Sequence, residues 1–180
     1  MKKVLLLSVV AFLMLATSFK AQAIEDPNPK GTFVLGAQVG FLPGVGASLF
    51  GDYVLVDSWW KGHFTVGGEL LYRHYGRWNY VLNGDKYRYS YNDFAIAGRA
   101  TYGLNITPKF EVHAGVLTGV GFSRWGWNYE GQHSHDSYVG FCWGGLAGVR
   151  YFFTEGFGVT AEVQYTGYGP YTNVGVVFKF

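Results

Sequence analysis

The sequence predicts an all-β protein: eight antiparallel strands, joined up-and-down and closed into a transmembrane β-barrel. Three observations predict it. An export segment opens the chain. Behind it, apolar residues recur with a period of two in one segment after another, the signature of half-buried strands. The charges within those segments fall at mid-strand on one alternate face, opposite an almost uncharged face rich in Val, Phe, Leu and Tyr.

Lys2 and Lys3 precede an apolar run over residues 4–16, and Ala21-Gln22-Ala23 supplies a small-x-small cleavage site. This is a signal peptide, residues 1–23, because the run is too short and its flanks are wrong for a spanning helix. It leaves a periplasmic lead-in, residues 24–30, and a barrel domain, residues 31–180. The 14 basic residues include Lys2, Lys3 and Lys20, so the mature chain holds 11 against 12 acidic ones, a formal −1. A basic surface for nucleic acid is therefore not expected. Cys142 is the single cysteine, so no internal disulfide can hold the exported fold, and barrel closure must do so. A charged fraction of 14%, beside 19% aromatics, is well below the quarter or so usual in soluble domains and suits a protein that faces both water and lipid.

In the first strand, residues 33–41, Phe33, Leu35, Ala37, Val39 and Phe41 share a face. Glycines at 31, 36, 40, 44, 46 and 51, with Pro43 between them, argue for two strands rather than a helix through the uncharged stretch before Asp52. The second strand, residues 46–56, sets Leu49, Tyr53 and Leu55 against Ser48 and Asp52. The third, residues 63–75, alternates Phe64, Val66, Leu70 and Tyr72 with Thr65, Glu69 and Arg73. A polar loop over residues 76–86, with the turn signal Asn83-Gly84-Asp85, leads to the fourth, residues 87–104. The fifth spans residues 110–122, and a second long loop is expected over residues 123–137. The sixth, seventh and eighth cover residues 138–152, 159–166 and 171–180. Short turns near Asp57, Asn105 and Thr154 alternate with the two long connections, while the first and last outer connections, near Pro43 and Gly169, are short exceptions. Long loops on one side and short turns on the other is the arrangement of bacterial barrels.

Glu69, Arg99, Arg150 and Glu162 lie on the common charged face. An Arg turned to lipid at the bilayer midplane costs about 2–4 kcal/mol, so all four must point into the lumen. There, with Gln38, Asp52, His113 and Gln164, they are expected to form a paired network that plugs an interior only wide enough for side chains. Tyr53, Tyr72, Tyr102, Tyr151 and Phe180 end strands on the uncharged face, as interfacial girdles do.

The last strand ends on Phe178-Lys179-Phe180 and resembles the terminal signal read by barrel-assembly machinery, with Phe178 and Phe180 as its aromatic positions. From about residue 30 to the end, the chain resembles the small outer-membrane β-barrel superfamily of OmpA/OmpX type. The Gly-rich first strands, Ala161-Glu162-Val163 and Gly175-Val-Val-Phe-Lys-Phe180 resemble the porin-family barrels of Bacteroidetes. The resemblance implies an outer-membrane location at a Gram-negative cell surface, with membrane lipid, lipopolysaccharide and the assembly machinery as partners. It implies no cofactor and leaves activity open, since relatives include structural barrels, adhesins, channels and lipid-modifying enzymes.

Two aromatic runs, Tyr87-Arg-Tyr89-Ser-Tyr91 and Trp125-Gly-Trp127-Asn-Tyr129, alternate as strands do and would project as a ribbon beyond the membrane. Such platforms contact sugars, peptides or lipids; packing on each other and on headgroups is the plainer alternative. Glu130, His133, His135 and Asp136 offer metal-binding atoms but no fixed geometry. His135 and Ser137 faintly resemble the His-x-Ser of lipid A deacylases, yet no acid follows to orient the histidine. The sequence thus supports a non-enzymatic barrel with a structural or surface-interaction role, ahead of a narrow solute channel or a lipid A-modifying enzyme.

Overall fold

The computed structural model describes residues 27–41, 44–60, 62–80, 86–129, 132–166 and 169–180. The signal peptide, residues 24–26 of the lead-in, Pro43 and the Asn83-Gly84-Asp85 turn lie outside the described residues. Eight strands follow in order: β1 (Phe33–Phe41), β2 (Val45–Trp59), β3 (Gly62–Tyr80), β4 (Lys86–Thr107), β5 (Phe110–Tyr129), β6 (Gln132–Phe152), β7 (Phe157–Thr166) and β8 (Gly169–Lys179). Each pairs antiparallel with its neighbours and β8 returns to β1, so the sheet is a closed barrel.

Closure rests on a continuous β1–β8 ladder from Val34↔Lys179 to Phe41↔Thr172. Phe180 extends it by one residue: Phe33 N donates to Phe180 O (3.0 Å) and Phe180 N to Phe33 O (2.9 Å). Following paired residues once around the wall from Ser137 through Arg124, Asn92, His74, Val45, Phe41, Thr172 and Val163 returns to β6 at Ala147, ten residues further on. Such a stagger requires strands tilted by roughly 35–45°.

Alternation decides what lies on each side of the wall. β7 reads eBeBiBeBeB from Phe157, with Thr160, Glu162, Gln164 and Thr166 buried. Val163 and Tyr165 on its other face are 57% and 64% exposed. The same inversion runs round the barrel: most large apolar side chains face out, and the buried inward set is mainly polar. A water-soluble barrel would place them the other way.

The strands are unequal in length. At the end opposite the termini, β1, β2, β7 and β8 stop while β3, β4, β5 and β6 continue as one four-stranded sheet. The β3–β4 pairing reaches Tyr80↔Lys86 and the β5–β6 pairing reaches Tyr129↔Gln132. The polar stretches expected as long loops are thus mostly paired strand, which corrects the sequence reading. Outside an apolar medium a strand needs no apolar face, and its polarity then resembles that of a loop.

Glycines admit close neighbours at particular points. A Cβ at Gly36 would lie 2.2 Å from the Phe50 ring, and one at Gly144 would lie 1.8 Å from Tyr165 O. Gly36→Val is therefore expected to displace Phe50 and destabilise the barrel by about 1–3 kcal/mol, the range for overpacking. Urea unfolding of the refolded barrel measures this, and an unchanged midpoint would refute the packing argument.

Candidate functional site

The lumen holds the chain's most concentrated chemistry. Asp52 on β2, Glu69 on β3, Arg99 on β4, Glu111 and His113 on β5, Arg150 on β6 and Glu162 on β7 are each no more than 3% exposed. Arg99 is the hub. Its Nη1 donates to Glu69 Oε2 (3.0 Å), its Nη2 to Glu162 Oε1 (3.0 Å), and its Nε lies 3.0 Å from Asp52 Oδ1. Arg150 Nη2 donates to Asp52 Oδ2 (2.6 Å) and Nη1 to Glu111 Oε1 (3.3 Å). Asp52 therefore bridges the two guanidinium groups.

His113 Nε2 is 3.0 Å from Glu162 Oε1, and Gln164 Nε2 donates to Glu69 Oε1 (2.8 Å) and Glu162 Oε2 (3.2 Å). Shared acceptors of this kind are what make buried charge tolerable, since an unpaired ion in a low dielectric costs several kcal/mol. Phe50 lies beneath both cations, with Arg99 Cζ 4.3 Å and Arg150 Cζ 5.3 Å from its ring centroid. The ring face stabilises them by cation–π attraction.

The network is bounded at both ends. Toward the termini, buried Asn28 donates through Nδ2 to Glu111 Oε2 (2.9 Å), and Lys179 Nζ donates to Pro27 O (3.1 Å). Toward the far end, Leu71, Ala95, Ala97, Leu117, Cys142 and Leu146 form an apolar cluster. Beyond it Arg73 pairs with Asp93, whose Oδ1 accepts from Ser123 Oγ at 2.5 Å.

Of the four residues singled out in the lumen, Arg99 contacts Glu69 and Glu162, and Arg150 lies 3.9 Å from Glu162. The sequence reading left out Glu111 as a partner, Asn28, Phe50 and the Arg73–Asp93 pair. Parity could have found Phe50, because it shares the face of Ser48 and Asp52. Asn28 carries no such signal, since it precedes the first strand.

The far-end sheet brings the aromatic runs together. Tyr75, Tyr91, Trp125 and Asp136 are successive cross-strand partners, and Arg77, Tyr89, Trp127 and Ser134 form the next row. Tyr75, Tyr91 and Trp125 continue the lumen face of their strands and are half-buried. The Tyr75 and Tyr91 ring centroids are 5.8 Å apart. The side chains of Tyr87, Trp127, Tyr129 and His133, and all of Glu130, lie outside the described residues. His135 and Ser137 share one face of β6 while Asp136 takes the other, its Oδ1 accepting from Ser137 N (2.8 Å). Among the described residues, no three His, Cys, Asp or Glu side chains are grouped to hold a metal.

On the outer face of β3–β6 the register sets polarity in rows. Leu70, Ile96, Val120 and Phe141 form one exposed row, and Tyr72, Phe94, Phe122 and Val139 the next. Two residues further along, the row becomes His74, Asn92, Arg124 and Ser137. The change from apolar to polar within one step marks an aromatic-edged interface, as at the boundary of a lipid bilayer. At the opposite end, Tyr151, Phe153, Phe157 and Phe178 form a chain of ring contacts with centroids 5.2–6.1 Å apart.

The fold is that of the small eight-stranded outer-membrane β-barrels. Ail, the attachment invasion locus protein of Yersinia pestis, is similar with a TM-score of 0.55 and 14% identity, over 84% of this chain and 99% of that one. Neisserial surface protein A (NspA) is similar with a TM-score of 0.52 and 18% identity, over 84% and 98%. The N-terminal β-barrel domain of Pseudomonas aeruginosa OprF gives 0.51 and 19%, over 84% and 98%. No family model matches the chain. No curated protein matches it either.

Proposed function

We propose that this barrel is an exported, non-enzymatic outer-membrane protein whose far sheet presents a ligand-binding face at the cell surface. A cleaved signal peptide delivers it, the assembly machinery inserts it, and membrane lipid and lipopolysaccharide surround its wall. The observation that carries the reading is the alignment of Tyr75, Tyr91 and Trp125 on adjacent strands, above a rim where the other four strands have ended. Half-buried rings held by a rigid sheet offer flat apolar area at low entropic cost, the property that makes Tyr and Trp frequent anchors of recognition. The Ail barrel forms a complex with the heparin analogue sucrose octasulfate, which supports looking first at saccharides.

Trp125→Ala is expected to weaken retention of the purified barrel on an immobilised glycan array, heparin oligosaccharides included, by about tenfold or more, as for loss of an anchor worth ~2 kcal/mol. Wild type and variant retained equally, or no glycan retaining wild type, would refute the reading. The buried lumen favours a surface role over conduction. In planar bilayers a flat baseline is expected, and steady single-channel steps would overturn the sealed interior.

A further inference from the structure

We infer that the chain end left by signal cleavage, Ile24-Glu25-Asp26, seats in a groove at the periplasmic mouth of the barrel and latches the lead-in there. The inference rests on the processing proposed above, cleavage between Ala23 and Ile24. The groove, about 610 Å³, lies between Lys109 in the β4–β5 turn, residues 152–155 at the end of β6, and Lys179 at the end of β8. Pro27 forms part of its wall, so the chain itself delivers the residues before Pro27 to the groove.

The residues after that point are held in the mouth. Asn28 is buried, with its Nδ2 donating to Glu111 Oε2 in the lumen (2.9 Å), and Thr32 N donates to Pro29 O (3.0 Å). Lys179 Nζ donates to Pro27 O (3.1 Å) and lies 4.7 Å from the centroid of the Phe152 ring. A residue that precedes proline favours an extended backbone, and three extended residues reach about 10 Å. Cleavage gives that short reach one apolar side chain, a new α-ammonium group and two carboxylates. The groove offers the complement of each: the Phe152 and Phe153 rings, the Glu155 carboxylate, and the ammonium groups of Lys109 and Lys179. A free peptide of the same chemistry would have to compete with a tethered segment whose effective concentration is on the order of millimolar.

The test uses the barrel purified from outer membranes. Its intact mass reads the start of the chain, and the loss of Ile24 and Glu25 to an added aminopeptidase reads how often the segment leaves the groove. A mass for residues 24–180 is expected, with trimming slower than that of a free peptide of residues 24–31. Lys109→Glu should be trimmed about fivefold faster, as repulsion replaces attraction and the open population rises. Lys109 is exposed and only its backbone oxygen bonds Phe152 N (2.8 Å), so this variant keeps the barrel. Glu25→Lys should also be trimmed faster, and the two changes together should return the rate toward wild type, which an altered protease preference at residue 25 would not do. A different starting mass would overturn the processing and the latch with it. The expected mass, with equal trimming of wild type and Lys109→Glu or a double variant as fast as either single, would overturn the latch alone. Protection lost on dilution would overturn it by assigning the groove to the segment of a second copy.

Discussion

Arg99→Met is expected to destabilise the barrel by about 3–5 kcal/mol, because it strips the shared cation from carboxylates that remain buried. Asp52, Glu69 and Glu162 each lie 3.0 Å from Arg99, and all three side chains are sealed from solvent. Asp52 and Glu162 also have Arg150 within 2.6 and 3.9 Å, whereas the other described side-chain partners of Glu69, Gln164 and Ser48, are neutral. Adding Glu69→Gln to Arg99→Met should therefore recover part of the loss, while Glu69→Gln alone should cost less than Arg99→Met. Urea unfolding of the barrel refolded into lipid vesicles measures all three. An Arg99→Met midpoint equal to wild type would show that the network does not hold the wall. A double variant no better than Arg99→Met would show that the cost comes from lost packing on Phe50 instead of from stranded charge.

Deletion of Phe180 is expected to leave the exported chain unassembled and open to protease. The structure separates two contributions of this residue. Its backbone pairs with Phe33 and carries the seam between β8 and β1 to its end, while its ring is 75% exposed on the lipid-facing side. In lipid, an unpaired strand end costs several kcal/mol, since no water replaces the lost partner. Phe180→Ala keeps the backbone pair and removes only the ring. A severe defect in both variants assigns the role to the aromatic ring, in keeping with recognition by assembly machinery. A defect confined to the deletion assigns it to the seam. A deletion variant that still reaches the membrane as a heat-modifiable barrel would refute both.

The outer sheet shows where sequence reading reaches and where it stops. The alternation in Tyr87–Tyr91 and Trp125–Tyr129 was legible, because side-chain period is a local property of the chain. The extent of β3–β6 was not. Residues 76–80 and 132–137 are polar or mixed on both faces, and nothing within them separates a paired strand in water from a loop. Pairing with a neighbour decides that, and the neighbour lies elsewhere in the sequence.

By itself the sequence determined the class of the fold, the number of strands and the face on which each charge falls. A strand fixes these through its two-residue period and the cost of putting Arg into lipid. Only the tertiary structure decided which charges meet. Arg99 lies 47 positions from Asp52, 30 from Glu69 and 63 from Glu162, and the stagger of the closed wall brings them to one level of the lumen. Closure also placed Phe50 under two guanidinium groups, opposite a glycine that leaves it room. Parity is written residue by residue along the chain; register is a relation between strands, and it becomes definite only when the last strand meets the first.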